Sequence, residues 1–151
     1  MIEFNDVRDE IATLFETAWQ ASTASIVGYV PEIQWQGVQY RTMPDGSKYW
    51  ARFSKQTVTE QQVTLSTCEG LPGQRKYETA GLVFIQIFCP KSDSQAFEFG
   101  QKLATVARNA FRGKSTPGNI WFRNVRINEI EPEELYQRFN VVSEYEYNEL
   151  G

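Results

Sequence analysis

The apolar positions of this chain follow two repeats. Near the N-terminus Val7, Ile11, Leu14, Phe15, Ala18 and Trp19 recur at three- and four-residue steps, which puts them on one face of a helix over "NDVRDEIATLFETAWQAS". Asn5 or Asp6 is placed to cap it, and Asp9 and Glu10 suit the positive end of its dipole. The same spacing returns in "SDSQAFEFGQKLATVARNAFRG", where Ala96, Phe99, Leu103, Val106, Ala107 and Ala110 form a second stripe. Ser92 with Gln95 makes a candidate capping box there, Arg108 and Arg112 lie near the C-terminal end, and Gly113 suits the residue beyond it. Gly100, inside this helix, points to a close approach to a sheet.

The second repeat has period two. "KYWARFSKQTVTEQQVTLST" predicts a long or broken strand over 49–67, "CEGLPGQRK" a turn, and "YETAGLVFIQIFC" the returning strand of an antiparallel hairpin with its tip near 69–74. "IWFRNVRINEIEP" predicts a further strand and "ELYQRFNVVSEYEYNEL" the last one. In that last strand Leu135, Phe139, Val141, Tyr145 and Tyr147 share one parity, and Arg138, Glu144 and Glu146 the other. Between the first helix and the hairpin, "IVGYVPEIQWQGVQYRTMPDGS" is broken by glycine and proline. It reads as short extended pieces and a Pro-Asp-Gly turn, with Trp35 and Tyr40 covering the core. The order helix, hairpin, helix, strand pair predicts an α+β fold. Its antiparallel (mixed) sheet carries a long hairpin and is packed by two main helices, in a single domain over 1–151.

The most apolar stretch is "GLVFIQIFCP", where only Gln86 interrupts the run from Leu82 to Cys89. Val83, Ile85, Ile87 and Cys89 share one face, and Leu82, Phe84 and Phe88 the other. A strand apolar on both faces needs cover on both. Helices supply one cover, and a second layer or a neighbouring subunit must supply the other. Cys89 is accordingly expected in the core, as free cysteine usually is. Cys68 belongs to the hairpin tip, ~40 Å away at strand rise, which argues against a disulfide between them.

Composition narrows the function. Apolar residues make up 41% and aromatics 14%, enough for an ordered core. A net charge of −4 gives no general affinity for nucleic acid. No apolar run is long enough to span a membrane, and the acidic N-terminus has no signal pattern, so a soluble, cytoplasmic protein is expected. There is no histidine, which removes histidine-based triads, general bases and metal sites. Phosphate-loop, dinucleotide and nucleophile-elbow motifs are missing too. No catalytic, cofactor or metal-ligating residue is expected, and the protein is not expected to be an enzyme. Charge is segregated along the chain: six acids and one base over 1–40, thirteen bases and six acids over 41–128, seven acids and one base over 129–151. Such segregation suits a surface that meets a copy of itself head to tail.

"YWARFSKQTVTEQQVTL", then "RKYETAGLVFIQIFCPKSDSQAFEFGQKLATVARNAFRG", then "YQRFNVVSEYEYNE" together resemble the tail terminator family of long-tailed phages and prophages, the family of the lambda minor tail protein U. The resemblance runs from the helix carrying Phe15 and Trp19 to the C-terminal strand. Its pattern is a basic turn, a glycine before an apolar strand, a proline and a helix. Pro90-Lys-Ser-Asp stands where many members have a glycine-rich link. The resemblance implies an α+β virion structural protein that forms a hexameric ring on the end of the tail tube, stops tube growth and presents a surface for joining the head. The implied partners are further copies of the chain, the major tail tube protein and a head completion or connector protein, with DNA passing through the ring without sequence-specific binding. The implied location is the virion tail, after assembly in the host cytoplasm. Arg75 and Lys76, together with the sheet edge, are the positions it maps as a protein-interaction surface. Another head–tail connector or neck protein, or a small α+β ligand-binding domain or enzyme, is the alternative.

Overall fold

The computed structural model describes residues 2–63 and 76–150. Helix α1 (Phe4–Ser22) and the short α2 (Ala24–Val27) lead into strand β1 (Glu32–Gln34). The hairpin strands β2 (Trp50–Gln62) and β3 (Lys76–Pro90) follow, then helix α3 (Ala96–Phe111) and strands β4 (Trp121–Ile130) and β5 (Tyr136–Leu150). All five strands form one sheet in the order β1-β2-β3-β5-β4. Only β1 and β2 run parallel, so the sheet is mixed and the fold is α+β. The expected tip near 69–74, and Cys68 with it, lies outside the described residues.

Both helices pack on the same sheet face. Val7, Ile11, Phe15 and Trp19 are the buried positions of α1, with Leu14 and Ala18 at the margin. Phe15 is the hub: its ring lies 5.2 Å from Trp19, 6.2 Å from Phe53 of β2 and 6.2 Å from Phe111 of α3. The odd-numbered residues of β3 and β5 point into this layer, and Val83, Ile85, Ile87, Cys89, Phe139, Val141, Tyr145 and Tyr147 are all buried. Gly100 is where α3 comes down on the sheet. A Cβ there would lie 2.7 Å from Cys89 Sγ and against the Phe139 ring. Gly81 serves the neighbouring strand in the same way, because the Tyr145 ring lies across it.

Three local expectations are corrected. Neither Asn5 nor Asp6 caps α1, which begins at Phe4 with Glu3 at the N-cap and no side-chain cap. Ser92 and Gln95 do not form a capping box. Instead Asp93 Oδ1 accepts from the Gln95 N–H at 2.9 Å, while Asp93 Oδ2 accepts from the Tyr49 hydroxyl at 2.7 Å. Asp93 is therefore committed to tying the start of α3 to Tyr49, the residue before β2. Ile26 and Val27, at the start of the segment expected to hold short extended pieces, instead belong to one helical turn, Ala24–Val27, that ends on Gly28 at φ +86°, a conformation glycine adopts without strain. The Pro-Asp-Gly turn forms as expected, with Asp45 Oδ1 accepting from the Ser47 N–H at 2.9 Å.

Candidate interaction surfaces

No described helix packs on the second face of the sheet. The even-numbered residues of β3 point there, and Leu82, Phe84 and Gln86 are half-buried. At one end this face is closed by its own aromatics. Trp50 and Phe88 stack with ring centroids 4.0 Å apart, and Tyr136 meets both rings edge-on. The Arg138 guanidinium lies 4.7 Å from the Phe88 ring and that of Arg52 5.5 Å from it. Each such contact is worth about 0.5–1 kcal/mol at an exposed site. The expectation that Phe88 needs cover from outside is thus met within the chain, whereas Leu82 and Phe84 keep an open side.

At the other end the same face carries a ladder of charge. Arg123 pairs with Glu146, Arg126 lies 3.9 Å from Glu144, and Asn124 donates to Glu144 at 2.7 Å. Back at the aromatic end, Arg138 pairs with Glu133 at 2.6 Å. Each exposed pair contributes only about 0–1 kcal/mol. Their consequence is for the charge pattern: three bases are satisfied within the chain by acids of the C-terminal segment. They are not free to meet a neighbour, as the segregation along the sequence suggested.

The two edges of the sheet are finished differently. At the β4 edge, Ser115 bridges to Trp121, Arg112 donates to the Val125 carbonyl at 3.4 Å and Arg126 to that of Asn124 at 3.1 Å. A bulge with Asn124 at φ +52° twists this edge further. On the β2 edge, β1 covers Trp50 to Arg52, and then one side chain takes over. The Gln36 amide accepts from the Lys55 N–H at 2.9 Å and donates to the Lys55 carbonyl at 3.1 Å, as a neighbouring strand would. Beyond Lys55 no described strand pairs with this side of β2, and Val58 to Gln61 are exposed. Gln36 gave no signal in the sequence, because a glutamine in a loop carries no pattern.

Between α1 and α3 on the helical face runs an open groove of about 720 Å³, with Leu14, Ala18, Val106, Ala110 and Pro117 in its lining and Asp9, Glu10 and Lys114 among its polar residues. Glu10 is already engaged, accepting from the Gly118 N–H at 2.8 Å.

Of the residues mapped from the sequence, Lys76 is the first residue of β3, half-buried and in register with Leu150, and its carbonyl accepts from Val63. Arg75 lies outside the described residues. Cys89 is fully buried, and that burial pushes its thiol up to about 12. Among the described residues no group of three or more potential metal ligands converges, and no helix is long and apolar enough to cross a membrane.

No protein-family model and no curated protein sequence matches the chain. Solved structures with a similar fold exist. One shares 12% identity at a TM-score of 0.59, over 91% of this chain and 93% of the other. A second, described as the virion of a native gene transfer agent (GTA) particle, shares 13% identity at a TM-score of 0.50, over 95% of each chain. At these identities the likeness is one of fold.

Proposed function

We propose that this chain is a virion structural protein: a tail terminator that forms a ring on the end of a phage tail tube, stops its growth and presents the surface to which the head joins. The observation that carries this reading is the likeness of fold over nearly the whole chain to a chain of the GTA virion particle. It agrees with the sequence pattern around the β2–β3 hairpin and α3. The surfaces support it physically. The sheet has a helical layer on one face only, its second face leaves Leu82 and Phe84 half-covered, and one edge is open beyond Lys55. These are features of a subunit rather than of a pocket enzyme. In this reading the partners are further copies in a hexameric ring, the tube protein below and a head connector above, with DNA passing through the lumen.

The test is deletion of the gene and electron microscopy of the lysate. Tails should exceed their normal length and remain headless. Tails of normal length that still fail to join heads would overturn termination and identify a different neck protein.

A further inference from the structure

The open stretch of β2 and the rim formed by the end of α3 with β4 are the two ends of one sheet, so they cannot meet within one copy. They differ in charge. The exposed acid of the β2 end is Glu60, and it and Glu3 lie close enough to Glu149 of β5, two strands in, to act on it. Burial, with the charges of Glu60 and Glu3 adding to it, holds the Glu149 carboxyl above its usual range. At the opposite end stand Arg108, Arg112 and Lys114, none of them in an ion pair with a described carboxylate. Lys114 precedes Ser115, which bridges to Trp121, and Trp121 is in register with Glu146. Glu60 is in register with Thr79, which pairs with Tyr147. Lys114, one residue before that bridge, is thus level with Phe122 and Tyr145, and the acid and the base stand two residues apart in level along the strands.

We propose that a second copy of this chain docks side by side with the first, the β2 stretch from Thr57 to Gln61 of one meeting the α3–β4 rim of the other. The inference rests on the ring reading and names the surfaces that would make it. Charge selects this pairing over the others. Two β2 ends brought together oppose Glu60 to Glu60, and two β4 ends oppose Arg112 and Lys114 to themselves, whereas unlike ends attract. Strand direction agrees. β2 and β4 run in opposite senses, so copies related by rotation about an axis along the strands bring them together antiparallel. A contact between unlike surfaces of identical chains is heterologous and closes into a ring when the rotation divides a full turn.

The experiment uses the full chain with Cys68→Ser, Cys89 being buried. Glu60→Cys and Lys114→Cys are made separately, and each is treated with a short bismaleimide, alone and as an equimolar mixture. The mixture should give a covalent dimer at least about tenfold faster than either alone. In parallel, sedimentation follows Glu60→Arg and the double variant Arg112→Glu/Lys114→Glu. Each should weaken self-association about tenfold or more, and the two mixed should regain it. Cross-linking of Glu60→Cys with itself as fast as in the mixture, or no cross-link in the mixture, overturns the proposal. Cross-linking as expected with a normal tail-length phenotype leaves the contact standing and removes the terminator reading. Overlong tails without the cross-link do the reverse.

Discussion

Cys89 offers a quantitative test of how tightly α3 closes on the sheet. Its thiol is fully buried under Gly100, and burial lifts its pKa from 9.0 to about 12. At pH 8 a thiol of ordinary pKa is roughly 10% thiolate, whereas one at about 12 is ~0.01% thiolate. Native labelling of a Cys68→Ser chain by an aromatic disulfide reagent should therefore run about a thousandfold slower than in guanidinium, before access is counted. The same shift predicts a pH dependence of stability. Above pH 9 the unfolded thiol loses its proton while the folded one keeps it. The folded state then binds more protons, and stability falls as pH rises, by up to about 1.4 kcal/mol per unit between 9 and 12. Tyr49, Tyr145 and Tyr147, raised by burial from 10.0, add to the fall as the pH nears 10, so the cysteine's share is the difference between the parent chain and Cys89→Ala. Chemical denaturation at pH 8, 9 and 10 should show the fall, and Cys89→Ala should make it clearly shallower. Stoichiometric native labelling within tenfold of the denatured rate would refute the buried, inert thiol. So would a slope that Cys89→Ala leaves unchanged.

Gly100→Ala tests the same contact from the helix side. Alanine gains about 1 kcal/mol of helix propensity, but its methyl meets Cys89 Sγ and the Phe139 ring, and overpacking costs about 1–3 kcal/mol. A net loss is expected, read as a fall of a few degrees in melting temperature, and a neutral or stabilised variant would show that the helix has room to lift. Reversing the mapped charges, Arg75→Glu with Lys76→Glu, should leave circular dichroism unchanged and weaken assembly or head joining. A folded, fully active variant would remove these residues from the working surface, and an unfolded one would make them structural.

Much of this fold was legible in local pattern. The 3.6-residue stripes placed α1 and α3, and alternation placed Val83, Ile85, Ile87 and Cys89 on one face of β3. Gly100 marked the close approach, because only a missing Cβ lets a helix settle that near a sheet. Periodicity assigns a residue to a face, since face follows from spacing along one strand. It cannot name the neighbouring strand, which is chosen by the sum of long-range packing. The insertion of β5 between β3 and β4 was decided there. That choice brought Arg123 and Arg126 beside Glu146 and Glu144, turning charge segregated along the chain into pairs within one sheet face. The Arg52 and Arg138 cover over Phe88, and the Gln36 amide closing β2 at Lys55, arise in the same way. Capping shows the limit at short range. Asp93 displaced Ser92 because its second oxygen could also bind Tyr49, forty-four residues earlier, and a local motif does not outcompete a tertiary partner at the same atoms.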